Sequence, residues 1–331
     1  MGPLQTLRRC HAASVAILLL LGAAGTADAQ SATEFYRGKT INVYIGVGVG
    51  GEYDIQARLV ARHIGKHIPG NPTVVPQNMT GAGGLRMINY LYNVAPKDGT
   101  NIGMIANASV AMQATGIAGV QFDAAQMQWL GSIAPAVETM AAWHAAGVKS
   151  IDDVRKKEVV AGASARGAIT FIYPEMMNEF LGTKFKIVTG YPGGNQINLA
   201  MERGEVEGIC ESLDSINQRK PDWIPKKVVN VLLQAGAESP PELKGVPNVL
   251  TLARNDEEKQ LLEFLYAGQD IGRPFVAPPD LPSERLKMLR DAFAETMKDP
   301  EFAADVKRSK LDLEPVDGEQ LAALIAKIYA T

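Results

Sequence analysis

Residues 40–58 read TINVYIGVGVGGEYDIQAR, and this stretch decides the fold. Thr40 to Val47 is predicted to form a buried strand, and a helix is predicted from Tyr53 to His67. Between them, Gly46 to Gly51 satisfy the pattern G-x-G-x-x-G. A strand that enters a helix through glycines exposes backbone N–H groups at the helix N-terminus, where an anion is favoured. The stretch therefore predicts an α/β unit with an anion site at its turn.

The glycine turn has two other interpretations. A dinucleotide site also needs an acidic residue about 20 positions further on, to hold a ribose hydroxyl. No Asp or Glu lies between Asp54 and Asp98, so the dinucleotide interpretation is disfavoured. A tight turn that binds nothing remains an alternative.

The N-terminus has the pattern of a cleaved signal peptide. Arg8 and Arg9 precede the apolar run Ser14 to Ala24, and Ala27-Asp28-Ala29 gives the small-x-small cleavage pattern. The run is much shorter than the roughly 20 residues that cross a bilayer. We therefore expect residues 1–29 to be removed and the mature protein to be periplasmic, with Cys210 as its lone, buried cysteine.

Composition and element order predict two soluble α/β lobes. The chain has 331 residues, of which 46% are hydrophobic and 21% charged, with a net charge of −3. No basic run with interleaved aromatics appears, so nucleic acid is not an expected partner. Strand and helix patterns alternate, which is typical of mostly parallel sheets covered by helices. We expect residues 131–234 to form lobe 2, inserted between the two parts of lobe 1, residues 30–130 and 235–331, so that a hinge can close the lobes on a cleft.

Five short motifs in order resemble those of one receptor family. They are Val49-Gly50-Gly51-Glu52-Tyr53-Asp54-Ile55-Gln56-Ala57-Arg58, Gln77-Asn78-Met79-Thr80-Gly81-Ala82-Gly83-Gly84, Pro96-Lys97-Asp98-Gly99, Tyr191-Pro192-Gly193-Gly194 and Arg203-Gly204-Glu205-Val206-Glu207. They are similar to motifs of the Bug proteins, the substrate-binding receptors of tripartite tricarboxylate transporters. The resemblance covers nearly the whole mature chain.

The resemblance implies a type II periplasmic-binding-protein fold with a ligand cleft between two mixed α/β lobes. It implies a receptor, not an enzyme, that captures a small organic carboxylate for a membrane permease of two subunits, with no cofactor and no metal, and that acts as a monomer. The alternatives are a receptor that presents a carboxylate to a membrane sensor, and a periplasmic enzyme on the same fold. The ligand-binding residues carried over by position are Val49, Gly50, Gly51, Tyr53, Asn78, Gly81, Gly83, Gly84, Ser164, Arg166, Gly167, Tyr191, Gly193, Gly194 and Asn195.

Other polar residues have several possible roles. Glu52 and Tyr53 replace smaller residues of the family beside the pocket, and Arg166 is either a bidentate carboxylate partner or a solvated loop residue. Asp54 is predicted to cap and order the glycine turn, with Arg58 as its ion partner at i+4. His63 and His67 have a spacing that can hold a metal, but we interpret them as an exposed helix face.

Overall fold

The computed structural model describes residues 32–114, 116–236 and 239–330. The predicted signal peptide, residues 1–29, lies outside these ranges. The strands are β1 Thr40–Ile45, β2 Thr73–Asn78, β3 Asn101–Met104, β4 Gln128–Ser132, β5 Glu138–Trp143, β6 Val159–Gly162, β7 Phe185–Val188, β8 Gly208–Ser212, β9 Val229–Ala235, β10 Pro274–Ala277 and β11 Val316–Asp317. The helices are α1 Ala32–Tyr36, α2 Glu52–Ile64, α3 Leu85–Asn93, α4 Ser109–Ala114, α5 Ile151–Lys156, α6 Ile169–Leu181, α7 Gly194–Glu202, α8 Leu213–Arg219, α9 Asp256–Tyr266, α10 Gly268–Ile271, α11 Ser283–Lys298, α12 Pro300–Arg308 and α13 Gly318–Ala330.

The strands form two mixed sheets. The first sheet has the order β11-β4-β10-β3-β1-β2, with β1 parallel to both β2 and β3 and with β10 antiparallel to its neighbours. The second has the order β7-β6-β8-β5-β9, with β6 parallel to β7 and β8 and with β5 antiparallel to β8 and β9. The prediction of two mixed α/β lobes is confirmed.

Both faces of each sheet are covered by apolar side chains. In the first lobe, Val60 belongs to a buried cluster on one face and Trp129 to a cluster on the other. In the second lobe, Tyr173 and Ile209 mark the corresponding pair of clusters. Cys210 is buried in the second of these lobes, as predicted.

Helix caps agree with the sequence. Ser150 accepts a hydrogen bond from the backbone of Asp153 and forms a capping box with it at the start of α5. Asp317 accepts from the backbone N–H of Gln320 at 2.8 Å, so it caps α13. These caps satisfy N–H groups that a helix leaves without intrahelical partners.

Two neighbouring segments connect the lobes. Residues 133–137 lead from β4 to β5, and the backbone N–H of Ala136 donates to the carbonyl of Gln269 at 2.8 Å. Gly272 has a φ of 65°, and a Cβ at that position would lie 1.8 Å from the carbonyl oxygen of Ala134. A side chain there would force the two segments apart, so we propose that this pair of segments is the hinge.

The chain after β9 stays with the second lobe. Val249, Leu262, Leu265 and Tyr266 all belong to the buried core of that lobe. The sequence-based boundary puts the return to lobe 1 at residue 235, whereas this packing leads us to propose a return near Gly272.

Candidate ligand-binding cleft

A cavity of about 480 Å³ lies between the two lobes. This volume falls in the range of small-molecule sites. Its walls are formed by the turns that follow the parallel strands, because the carboxyl ends of such strands meet at one edge of a sheet. In the first lobe Gly46, Thr80 and Ala106, which follow β1, β2 and β3, all line the cavity.

The glycine corner, residues Gly46–Gly51, forms one wall of this cavity. Gly50 has a φ of +80°, and its N–H donates to Oδ2 of Asp54 at 2.9 Å. Gly48 and Val49 line the cavity, and their N–H groups have no hydrogen-bond acceptor among the described residues. The corner therefore brings backbone N–H groups without acceptors among the described residues to the wall of the cavity.

Asp54 holds the glycine corner in shape. Its Oδ1 accepts hydrogen bonds from Arg58 Nε at 2.9 Å and from Asn78 Nδ2 at 2.8 Å. Burial alone would raise the pKa of the Asp54 carboxyl, but the bonds from Arg58, Gly50 and Asn78 lower it overall. Asp54 thus orders the turn and stays charged, and Asn78 acts in support of it.

Several helices of both lobes begin at the cavity. α2 starts directly after the glycine corner, and α3 follows the Gly81–Gly84 turn. In the second lobe α6 and α7 begin at Ile169 and Gly194, and the residues around both starts line the cavity. Each helix N-terminus carries roughly half a positive charge, so the rim of the cleft attracts an anion.

The lobes touch each other at the rim. Asn195 Nδ2 donates to the carbonyl oxygen of Gly50 at 3.3 Å. A Cβ on Gly83, whose φ is +69°, would lie 2.7 Å from the carbonyl carbon of Gly167. Backbone therefore meets backbone at this point, and glycine is required for the approach.

A buried ion pair lies deeper in the cleft. Arg273 Nη2 is 3.0 Å from Glu52 Oε2, and the same oxygen accepts a bond from Ser215 Oγ at 2.7 Å. Ser212 also donates to Glu52, and the Arg273 guanidinium lies over the ring of Tyr53 at 4.8 Å. Burial raises the pKa of Glu52, but the charge of Arg273 and the hydrogen bonds from Arg273, Ser212 and Ser215 together lower it overall, so the pair is ionised.

Two further glutamates complete what we call the acidic floor, Glu52, Glu138 and Glu211. All three are buried and line the cavity. Glu211 forms an ion pair with Arg219. Glu138 forms no ion pair with any described residue.

The structure brings most of the sequence-predicted residues to the cavity. Those that line it are Val49, Gly51, Tyr53, Gly81, Gly83, Ser164, Gly167, Tyr191, Gly193, Gly194 and Asn195. Gly50, Asn78, Gly84 and Arg166 are not part of the lining. Arg166 is exposed and lies over the ring of Phe171 at 5.5 Å.

Sequence analysis missed several charged lining residues. Glu138, Arg219 and Arg273 come from segments far apart in the chain, and no local motif marks them. Ser212 and Glu211 also line the cavity, at the end of β8. Their position is a signal that could have found them, because the carboxyl ends of strands in such sheets face the crevice.

His63 and His67, which are predicted to be exposed, each contact an acidic side chain at α12. His63 is 7% exposed, and its Nε2 lies 3.0 Å from Oδ2 of Asp305 on α12. His67 Nε2 lies 3.0 Å from Oδ2 of Asp299. The expectation of an exposed helix face is wrong for His63, because α12 packs over α2.

One group of possible metal ligands lies beside these histidines. Ligand atoms of His63, Asp299 and Glu301 fall within 4.8 Å of one another. Lys66 Nζ forms ion pairs with both acids, at 2.6 Å for Glu301. Its ammonium already supplies the positive charge that an ion would bring to this group.

Solved structures share this fold. The chain is similar to the periplasmic binding protein BugD, with a TM-score of 0.69 and 20% identity over 89% of this chain and 95% of that one. MatC from Rhodopseudomonas palustris with bound malate gives a TM-score of 0.67 and 16% identity over 88% of this chain and 97% of that one. An R. palustris protein with adipate gives a TM-score of 0.68 and 17% identity over 88% and 94%. The chain therefore has the fold of a periplasmic binding protein.

Within this class, the resemblance to Bug-type receptors is confirmed at the level of the fold. No protein-family model matches the chain, and no curated protein matches its sequence. Among the described residues, no helix has the length and apolar composition to cross a bilayer.

Proposed function

We propose that this protein is a solute-binding receptor that captures a small organic carboxylate between its lobes and leaves it chemically unchanged. The observation that carries the proposal is the convergence of unpaired backbone N–H groups and helix N-termini on one interlobe cavity. A charge-assisted hydrogen bond contributes about 1.5–3 kcal/mol, and micromolar binding needs about 8 kcal/mol. Several such bonds reach that affinity after the costs of association.

The solved relatives support this proposal. Two structures of the same fold are described with malate and with adipate, both small carboxylates. Among the charged residues that line the cavity, the two arginines already face glutamates. Backbone amides at the rim are therefore the donors that we assign to the ligand carboxylate.

We also propose the cellular role that the sequence indicates. Export through a cleaved signal peptide would place the mature receptor in the periplasm, where it would act as a monomer. There it would deliver its ligand to a two-subunit permease of the tripartite tricarboxylate type. Presentation of the ligand to a membrane sensor is the alternative, and a strain that lacks the permease separates the two. Transport is lost in that strain under the first role, and signalling persists under the second.

Native mass spectrometry of the purified protein tests the receptor proposal. We expect one small acid per chain, released unchanged after denaturation and after long incubation with added ligand. Conversion of the acid into a product would overturn the proposal in favour of an enzyme on this fold.

A further inference from the structure

Glu138 is a buried acidic side chain that forms no hydrogen bond and no ion pair with the described residues. It begins β5, lines the interlobe cavity, and is 1% exposed. Neither of its carboxylate oxygens has a hydrogen-bond partner among the described residues. A buried polar group without partners is costly, so a native protein keeps one where something else supplies the partner.

The acidic and basic side chains that line the cavity are unequal in number. The lining contains three carboxylates, the acidic floor, and two guanidiniums. Arg273 pairs with Glu52, and Arg219 pairs with Glu211. Glu138 is therefore the one lining carboxylate that has no cation.

The neighbours of Glu138 make its site attractive to positive charge. Burial raises the pKa of the Glu138 carboxyl to about 8, and the charge of Arg273 only partly opposes the shift. The carboxylates of Glu52, Glu211 and Asp214 raise this pKa further. Other titratable groups that interact with Glu138 are Tyr53, Tyr173, Cys210 and Tyr266, all of which burial keeps uncharged near neutral pH.

A second ligand carboxylate is poorly suited to this part of the cavity. It would bring a further negative charge beside the acidic floor, where each arginine already balances the charge of a glutamate. An ammonium group would instead donate to the free oxygens of Glu138 and balance its charge.

We propose that Glu138 forms a subsite for a ligand ammonium group, so that the ligand is an amino carboxylate whose acid end binds the glycine corner and whose amine binds the acidic floor. This inference rests on the proposed receptor function and narrows its ligand class. It predicts that the protein discriminates against dicarboxylates.

Calorimetric titration with two series of equal chain length tests the subsite. The ω-amino acids run from glycine to ε-aminocaproate, and the dicarboxylates run from malonate to pimelate. We expect at least one amino acid to bind about 10- to 100-fold more tightly than its dicarboxylate, the value of one charge-assisted hydrogen bond. Glu138→Gln should remove that preference, while Glu205→Gln, a change at an exposed turn of the same lobe, should leave it intact.

The outcomes separate the two proposals. Tighter binding of the dicarboxylate at every length, or an unchanged preference in a folded Glu138→Gln protein, would overturn the ammonium subsite and leave the receptor proposal standing. Failure of the folded wild-type protein to bind any carboxylate would count against both.

Proton exchange gives a test that needs no variant. Because Glu138 is protonated at pH 7 in the empty cleft, pairing with an ammonium group should release up to one proton per ligand. Binding enthalpies measured in buffers of different ionisation enthalpy report this number. Proton uptake would contradict the inference, since it is expected if the cleft gains a protonated acid on binding.

Discussion

Arg273 and Glu52 form a fully buried ion pair that joins the residue after Gly272 to the helix beginning at the glycine corner. Each side chain is 2% exposed. Ser212 and Ser215 of the second lobe donate to the same carboxylate. The Glu52 carboxylate therefore contacts both the second lobe and Arg273, which follows the segment that we propose as part of the hinge.

Removal of Arg273 should destabilise the protein strongly. Arg273→Met leaves the Glu52 charge buried without its partner, and such a change costs about 3–5 kcal/mol. The double variant Glu52→Gln with Arg273→Met should recover most of this loss, since it buries no unpaired charge. Chemical denaturation measures both values.

An exposed ion pair provides the control for this prediction. Lys287 and Asp291 form a pair on α11 in which both side chains are largely exposed. Lys287→Ala should change the free energy of unfolding by less than about 1 kcal/mol. An Arg273→Met protein as stable as this control would show that the buried pair does not hold the lobes.

Gly83→Ala should weaken ligand binding more than it weakens the fold. The new Cβ would meet the backbone of Gly167 across the cleft and keep the lobes apart. Gly182→Ala is a matched control, because Gly182 has a φ of +66°, open space around it and a position at the end of α6. Both variants carry the backbone cost of about 1–2 kcal/mol for an L-residue in the left-handed region. Calorimetry should show lost affinity in the first alone, and equal affinity in both would argue against closure at this contact.

Asp54→Ala should loosen the glycine corner and lower ligand affinity about 10-fold. Asp152→Ala, which removes an exposed acid from the first turn of α5, should leave affinity unchanged. Because the folded pKa of Asp54 is lowered, its stabilisation is complete above its unfolded pKa of about 4 and is lost as pH falls through the folded value. The difference in unfolding free energy between wild type and Asp54→Ala should thus shrink in acid. A difference that grows in acid would show that Asp54 is not held as a charged group.

His63→Ala should reduce stability without changing affinity. The imidazole contacts Asp305 and lies edge-on to the ring of Phe302 at 5.7 Å, so its loss removes a helix–helix contact far from the cleft. Thermal denaturation should report a loss of about 1–3 kcal/mol, the range for a buried hydrogen-bonded group. Reduced ligand affinity at unchanged stability would place His63 in the site instead.

The sequence predicts the rim of the cleft better than its floor. The glycine corner and the Gly81–Gly84 turn are local motifs, so their geometry can be deduced from a few adjacent residues. Glu138 and Arg273 are separated by 135 positions in the chain. They line the same cavity only because the two lobes pack together. No local pattern can report such a meeting.

The elements of the fold differ in how clearly the local sequence marks them. β4 and β10 are short strands with almost every residue buried, so they lack the polar alternation that marks a half-exposed strand. α9, in contrast, has a local signal, since Asn255 caps it and its first turn is acidic. That cap and charge pattern is the signal that could have predicted the helix.

Calorimetric comparison of a bound acid with its own amide tests the central claim most directly. The native acid, identified by mass spectrometry, and its carboxamide have nearly the same shape but differ in charge. If backbone donors and helix N-termini hold a carboxylate, the acid should bind at least about 10-fold more tightly, the value of one charge-assisted hydrogen bond. Equal affinity for acid and amide would contradict the account.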